Sequence, residues 1–365
     1  MAKRKLKIGV LFGGKSAEHE VSLRSAENIF NALDKNKYEV VLMGIDKTGK
    51  WILGNSSVKL LDKTNPKMYK LNSSKSDSVA LIPQGGGLIS NLSNTNSKSS
   101  IDVVFPVLHG PFGEDGTVQG MLKLANIPFV GAGVLGSAVG MDKDVMKRLL
   151  RDAGVPIGKF ITLKHGEKIS FEKAKRELGI PLFIKPANMG SSVGVSKVKN
   201  RRDFDKAIKE AFKFDVKVLI EQNITGREIE CSVLGNDKPI ASIPGEVIVN
   251  DEFYSYDTKY INESGAIIQV PAKISKEIVK KIQELSVKTF KVLSCEGFGR
   301  VDSFLTKSGK IYVNEINTIP GFTSISMYPK LWEASGLSLP KLLDKLIELA
   351  IERFEKEQKL ETSVN

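Results

Sequence analysis

Gly299-Arg300-Val301-Asp302-Ser303-Phe304, followed after Lys307-Ser308-Gly309-Lys310 by Ile311-Tyr312-Val313-Asn314-Glu315-Ile316-Asn317, is a pair of alternating runs around a Ser-Gly turn signal, and it predicts a β-hairpin. With Ser308 and Gly309 at the tip, Lys307 faces Lys310, Asp302 faces Glu315 and Arg300 faces Asn317. Side chains alternate faces along a strand, so these four polar groups project from one side of the ribbon. Carboxylates directly opposite one another repel. A cation between them removes the conflict, and two carboxylates plus an amide oxygen form an oxygen set suited to Mg²⁺ carrying phosphates. Solvated charges on an exposed hairpin are the other reading of an Asp-Glu pair. The exit from the second strand weighs against it: Asn317-Thr318-Ile319-Pro320-Gly321-Phe322-Thr323-Ser324 passes through Pro-Gly into small hydroxyl residues, a loop fitted to offer backbone N–H groups to an anion.

A chain of 365 residues with 41% hydrophobic and 26% charged residues has room for two or three domains, each with a core. Its two cysteines, Cys231 and Cys295, are far apart and lack metal-ligand spacing, so neither a disulfide framework nor a zinc site is expected. The basic start Lys3-Arg4-Lys5-Leu6-Lys7 precedes an apolar run of only Ile8 to Phe12, which predicts a first strand and no signal peptide. No apolar run approaches membrane-spanning length, and a cytoplasmic protein without a membrane partner is expected. The formal charge of +12 is spread through amphipathic helices such as Ile274 to Lys291 and interleaved with glutamates. A nucleic-acid footprint would be clustered, so no nucleic-acid partner is expected, whereas a small anion such as ATP gains from the positive field.

Outward from the hairpin, the chain alternates strands and helices, the signature of an α/β protein. Lys7 to Phe12 turns through Gly13-Gly14 into a helix ending at Leu33, without the full G-x-G-x-x-G spacing of a dinucleotide site. Glu18 in that turn serves equally as a first-turn helix carboxylate or as a ligand contact. Tyr38 to Ile45 and Trp51 to Leu53 are strands, and Asn72 to Ser100, with Gly85-Gly86-Gly87, reads as a loop-rich insertion with at most one hairpin. Ile101 to Leu108 is a strand delivering His109, either a ligand contact or a histidine satisfied within its loop, to the loop Gly110 to Gly116 before the helix Thr117 to Ala125. Gly131 to Gly140 is a small-residue connection, after which Lys143 opens a helix; a phosphate beside it would explain a cation there, and a solvated lysine is the alternative. Pro181 to Pro186 is a strand carrying Lys185, and Gly190-Ser191-Ser192-Val193-Gly194 is a loop whose glycines and hydroxyls suit phosphate oxygens, before a strand Val193 to Val198. Val218 to Ile224 is a strand running into a linker, with Gly226-Arg227-Glu228 beyond it and the strand Ile229 to Leu234 next.

Taken together, Lys185 before the Gly-Ser-Ser loop, Glu221 to Ile224 leading to Glu228, and the Asp302, Glu315, Asn317 hairpin resemble the ATP-grasp superfamily. Within it the chain resembles the D-alanine:D-alanine ligases, through Gly13 to Ser22, His109 to Gly120, Gly190 to Gly194, Phe253-Tyr254-Ser255-Tyr256-Asp257-Thr258-Lys259-Tyr260 and Glu315 to Ser326, in that order over nearly the whole length. The resemblance implies an α/β (α+β) ATP-grasp fold of three domains: an N-terminal parallel α/β domain (1–141), a central ATP-clamping domain (142–226) and a C-terminal one (227–365). It implies a ligase that phosphorylates one D-alanine with ATP and lets the amine of a second attack the acylphosphate, supplying peptidoglycan precursors, with D-serine or D-lactate as the alternative second substrate.

Residue by residue, the resemblance makes Asp302, Glu315 and Asn317 the ligands of Mg²⁺, for which Mn²⁺ could substitute. It makes Arg300 and the N–H of Gly321 the stabilisers of phosphate and oxyanion. Lys143 and Lys185, with the Ser191-Ser192 loop, become phosphate contacts, and Lys259 reaches the γ-phosphate; Glu221, Ile224 and Glu228 contact the adenosine. Glu18 holds the first D-alanine's ammonium with His109 nearby, and Ser326 receives the second substrate's carboxylate. Ser191 and Tyr260 join Glu18 in a triad that closes a loop over the site, and Tyr260 favours an amine over D-lactate. A homodimer is the implied assembly.

Overall fold

The structure, a computed structural model, describes residues 4–53, 61–62, 70–71, 77–94, 98–249, 266–361 and 363. The first strand, β1 (Leu6–Gly13), is apolar on both faces and is buried between parallel neighbours, β2 (Tyr38–Ile45) and β9 (Val103–Leu108). Helix α1 (His19–Ala32) returns from β1 to β2. Strand β3 (Trp51–Leu53) pairs antiparallel with β2, and β4 (Leu61–Asp62) and β5 (Lys70–Leu71) pair with each other. The expected loop-rich insertion is more ordered than its composition predicts. Strands β6 (Asp77–Leu81), β7 (Leu88–Asn91) and β8 (Lys98–Ser100) form an antiparallel meander that extends the sheet in the order β8-β7-β6-β3-β2-β1-β9. Val79 and Ile89 bury in the core with Ile101 and Ile127, which a polar-rich composition conceals because only one face of such a meander is apolar.

The connection expected at Gly131 to Gly140 is instead largely helical: α3 (Val134–Met141) follows α2 (Thr117–Leu124) and precedes α4 (Lys143–Asp152). Its glycines permit close approach. A Cβ at Gly136 would lie 2.5 Å from the Ser294 carbonyl oxygen, and one at Gly140 would lie 2.8 Å from Thr318. Asp142 caps α4 by accepting from the N–H groups of Asp144 and Val145.

The second sheet, β10 (Phe160–Lys164), β13 (Lys217–Gln222), β11 (Leu182–Pro186) and β12 (Ser196–Val198) in that order, is covered by α5 (Phe171–Leu178) and α6 (Arg201–Ala211) over its own core. The strand expected from Val193 begins only at Ser196, because Ser191, Ser192 and Gly194 all have positive φ and keep the chain turning.

The third sheet runs β17 (Ala266–Gln269), β16 (Gly245–Val249), β14 (Arg227–Leu234), β18 (Phe298–Leu305), β19 (Ile311–Asn317), with β15 (Ile240–Ala241) beside β14. Helix α7 (Lys276–Val292) packs on it, and Met146 and Leu150 of α4 enter the same core as Val301 and Val313. The chain closes with α8 (Met327–Ala334) and α9 (Leu339–Glu357). Leu342, Leu343, Leu346 and Ile347 of α9 pack in one core with Ile8, Val10 and Phe12 of β1 and with Phe322, Tyr328 and Trp332. The C-terminal helix thereby ties the third sheet's exit loop to the first sheet, which brings the carboxyl ends of β1 and β9 to the same place as the end of β19.

Candidate active site

The hairpin forms as β18 and β19, with Asp302 opposite Glu315 and Arg300 opposite Asn317. Its tip differs by one residue from the expectation: Thr306, not Lys307, faces Lys310, and its N–H donates to the Lys310 carbonyl at 2.9 Å. A bulge between Asp302/Ser303 and their partners restores the register, since Ser303 faces Val313 and Asn314 is the extra residue. The bulge turns both Asn314 and Glu315 toward the cavity.

On the other side of β18, Glu230 of β14 lies opposite Asp302, so Glu230, Asp302 and Glu315 form a row across three strands. Two protein cations offset part of its charge. Arg300 donates to Asp302 through two nitrogens, Nε to Oδ1 at 2.7 Å and a terminal nitrogen to Oδ2 at 2.8 Å, and its Nε is 2.8 Å from Glu230 Oε2. Asn317 donates its amide to Asp302 at 2.9 Å, and Lys143 Nζ lies 3.5 Å from Glu315 while donating to the Met189 carbonyl at 2.8 Å. Among the described residues no three His, Cys, Asp or Glu side chains are grouped to hold a metal unaided. Asp302, Glu315 and the Asn317 amide oxygen nevertheless fit a hard divalent cation, provided that substrate oxygens complete its shell.

A second wall comes from the end of the second sheet. Lys185 at the end of β11 approaches Glu221 of β13 at 2.8 Å, and Lys147 of α4 approaches the other oxygen of Glu221 at 3.4 Å. All three are buried. Burial alone would push the Glu221 carboxyl up, but the charges of Lys147 and Lys185 outweigh it and hold the group below its ordinary value.

The third wall lies where β1 and β9 end. Glu18 precedes α1 and accepts from the Ser191 hydroxyl. Gly110 and Gly190 admit it: a Cβ on either would stand 3.0 Å from Glu18 Oε2. His109 Nδ1 lies 3.0 Å from the Ile319 carbonyl oxygen, to which it must donate, and burial holds its pKa below the ordinary value. Glu114 accepts from the N–H of Gly110 at 2.7 Å and from the N–H of Ile319 at 3.2 Å. Burial first, and the charge of Glu18 second, push the Glu114 carboxyl up to about 8. Asn28 of α1 donates to the Phe322 carbonyl and Ser25 accepts from the Phe322 N–H, which fixes the loop carrying Gly321. The Ser326 hydroxyl accepts from the Thr323 N–H at 2.9 Å, and a Cβ at position 321 would come within 2.9 Å of it.

Every candidate residue named from the sequence, among the described residues, lines a single cavity of about 1150 Å³. Lys259 and Tyr260 lie outside the described residues. Lys147, Glu114, Glu230 and Asn314 escaped the sequence reading. Glu230 was the most accessible of them, since it shares a strand face with Glu228.

Comparison with known proteins follows the same outline. The family model for the D-ala D-ala ligase N-terminus matches residues 7–132, and the one for the C-terminus matches residues 149–348. The chain is similar to the D-alanine–D-alanine ligase of Oceanobacillus iheyensis, 54% identical over 98% of this chain and 99% of the relative, and to D-alanine–D-alanine ligase A of Escherichia coli K12, 52% identical over 99% and 100%. Among solved structures it resembles the D-alanine-D-alanine ligase from Coxiella burnetii (TM-score 0.84, 41% identity, 97% of this chain and 96% of that one). It resembles equally the VanG D-Ala:D-Ser ligase from Enterococcus faecalis (TM-score 0.84, 40% identity, 95% and 100%).

Proposed function

The chain belongs to the D-alanine–D-alanine ligase family, with the ATP-grasp fold, and from this we propose that it joins two D-alanines into D-alanyl-D-alanine through an acylphosphate, using ATP and a divalent cation, in peptidoglycan precursor synthesis. The observation that carries this reading is the convergence of three walls from distant parts of the chain on one cavity, each with the chemistry of a different substrate portion.

In the first step a D-alanine carboxylate oxygen bonds to the γ-phosphorus of ATP as the bond to the β-phosphate oxygen breaks and ADP leaves. Negative charge spreads over the transferred group, and catalysis rests on positioning and electrostatics. Glu18, held by Ser191, orients the D-alanine through its ammonium. Lys143 and Lys185, with Ser192 in the adjoining loop, hold the phosphates; Glu221, Ile224 and Glu228 hold the adenosine; Arg300 faces the transferred phosphoryl group. Asp302, Glu315 and Asn317 hold Mg²⁺, or Mn²⁺ in its place, which when bound neutralises phosphate charge. In the second step the amine of a second D-alanine, oriented by Ser326 at its carboxylate, attacks the acyl carbon. The resulting oxyanion is met by Arg300 and the N–H of Gly321, the bond from the acyl carbon to the phosphate oxygen breaks, and the proton lost by the amine leaves with the phosphate.

Arg300 must leave Asp302 for these roles, and its second acidic partner, Glu230, keeps the guanidinium at the site when it does. Lys259 and Tyr260 complete the set as a γ-phosphate contact and the closing residue over Glu18. The division at residues 141 and 226, a homodimer, a cytoplasmic location and the absence of nucleic-acid or membrane partners belong to the same reading; among the described residues no helix is long and apolar enough to cross a membrane.

Phosphate release from the purified protein with ATP and Mg²⁺, with products identified by mass, tests the function. Release with D-alanine alone, yielding the dipeptide and absent with L-alanine, is expected. Release only when D-serine accompanies D-alanine would instead favour the mixed product, the reaction named for VanG.

A further inference from the structure

Lys147 is a buried cation to which the mechanism above gives no task. It lies four residues after Lys143 on α4, one helical turn along the same face. Yet the two lysines end in different surroundings. Lys143 and Lys185 line the cavity with Glu221, whereas Lys147 stands behind Glu221 with 2% of its side chain exposed. Glu221 is therefore gripped from both sides, Oε2 by Lys185 at 2.8 Å and Oε1 by Lys147 at 3.4 Å. Burying a lysine is costly, and a carboxylate already paired with Lys185 does not need a second cation for its own neutrality.

The need arises when a nucleotide enters. Lys185 is then asked to turn toward phosphate oxygens, which would strand a buried carboxylate. With Lys147 present, Glu221 keeps a counterion whichever way Lys185 turns, and the group of three carries one net positive charge to offer the phosphates. Without Lys147, Glu221 and Lys185 would neutralise each other, and the phosphates would have to break that pair.

Resting on the reading of this wall as the nucleotide site, we propose that Lys147 is a positioning residue. It holds Glu221 as its permanent counterion and thereby releases Lys185 for the nucleotide phosphates. It touches neither nucleotide nor amino acid.

The test is a binding cycle on the full-length protein, with ADP and adenosine as calorimetric probes, using Lys147→Met, Glu221→Gln and the double variant. Lys147→Met should weaken ADP binding and raise the KM for ATP by about tenfold, the scale of coupling between contacting charged groups. The KM for D-alanine should stay within about twofold, and adenosine affinity should fall clearly less than ADP affinity, because only the phosphates draw on Lys185 directly. Placing Glu221→Gln in the same chain should restore the ratio of ADP to adenosine affinity, because a neutral amide no longer captures Lys185. Lys147→Arg, which keeps the charge, should resemble the parent in that ratio and covers the case in which the methionine variant does not fold.

An unchanged ADP affinity in Lys147→Met would overturn the assignment. So would an equal loss for ADP and adenosine, or a loss that persists in the double variant. Failure of the unsubstituted protein to bind ADP would instead reject the nucleotide site itself, so the two failures are distinguishable.

Discussion

Asp302 and Glu315 face each other across neighbouring strands with Arg300 and Lys143 against them, while Glu18 and Glu114 sit in loops at the ends of β1 and β9, held by a serine hydroxyl and by backbone N–H groups. The hairpin sets its carboxylates against cationic side chains, each of which has a second partner: Glu230 for Arg300 and the Met189 carbonyl for Lys143. A metal and a phosphoryl group can displace such partners, because the arginine and lysine have somewhere else to point. The loop wall handles negative charge through proton uptake: burial and the neighbouring Glu18 push Glu114 up to about 8. On the proposed reading, one wall exchanges its counterions during turnover and the other stays fixed around a small zwitterion.

Glu315→Gln breaks that contrast most severely. It leaves an isosteric side chain but removes one of the two carboxylate charges proposed to hold the metal. A loss of roughly a thousandfold or more in kcat is expected, the scale of removing a key electrostatic group. The melting temperature should stay within a few degrees, since Glu315 is partly exposed and its cation partner Lys143 retains a hydrogen bond to Met189. Phosphate release, together with calorimetric titration of Mn²⁺, checks both halves; near-native turnover would remove Glu315 from the metal set.

Ser191→Ala tests the loop wall more gently. The hydroxyl holds Glu18 from a loop of the second sheet, and losing a hydrogen bond to a charged group costs roughly tenfold to a hundredfold. The loss should fall on kcat/KM for D-alanine with the KM for ATP little changed. An equal loss for both substrates would mean that Ser191 serves the phosphates as much as the amino acid.

The contrast also explains what was legible in the sequence. The hairpin's four polar residues share one segment and two alternating strands, so their common face follows from period two, and Asp302 opposite Glu315 was recoverable. The agreement was partly fortunate, because the predicted tip was off by one and the bulge at Asn314 compensated. The partners of the loop wall come from segments some two hundred residues apart, such as Glu114 with Ile319, and no local pattern announces such a meeting. There the resemblance supplied Ser191 as the partner of Glu18, which periodicity could not, and left Glu114 unread. Lys147 was invisible for another reason: a lysine on an amphipathic helix reads as solvated, and only the packing of α4 between two sheets turns it inward. The insertion misled through composition, since Val79 and Ile89 are few among many serines yet suffice to seat a meander.

The smallest effect expected is on stability, and its dependence on pH separates the walls. In the unfolded chain Glu114 ionises near its ordinary value of 4.5, whereas the folded protein keeps the proton until about pH 8. A raised folded-state pKa contributes stability that is complete below the lower value, is lost progressively as pH rises, and is gone above the higher one. The slope in that window is about 1.4 kcal/mol per pH unit. Glu114→Gln cannot titrate, so the melting temperature of the parent minus that of the variant should fall by a few degrees between pH 6.5 and 8 and level off above. Restricting the comparison to this window avoids His109, whose pKa burial holds below its ordinary 6.5. Melting curves of the two proteins across pH 6.5–9 give the answer. Parallel curves would mean that Glu114 is already ionised at neutral pH, leaving two buried anions beside one another, and the loop wall would then need a displaceable cation just as the hairpin does.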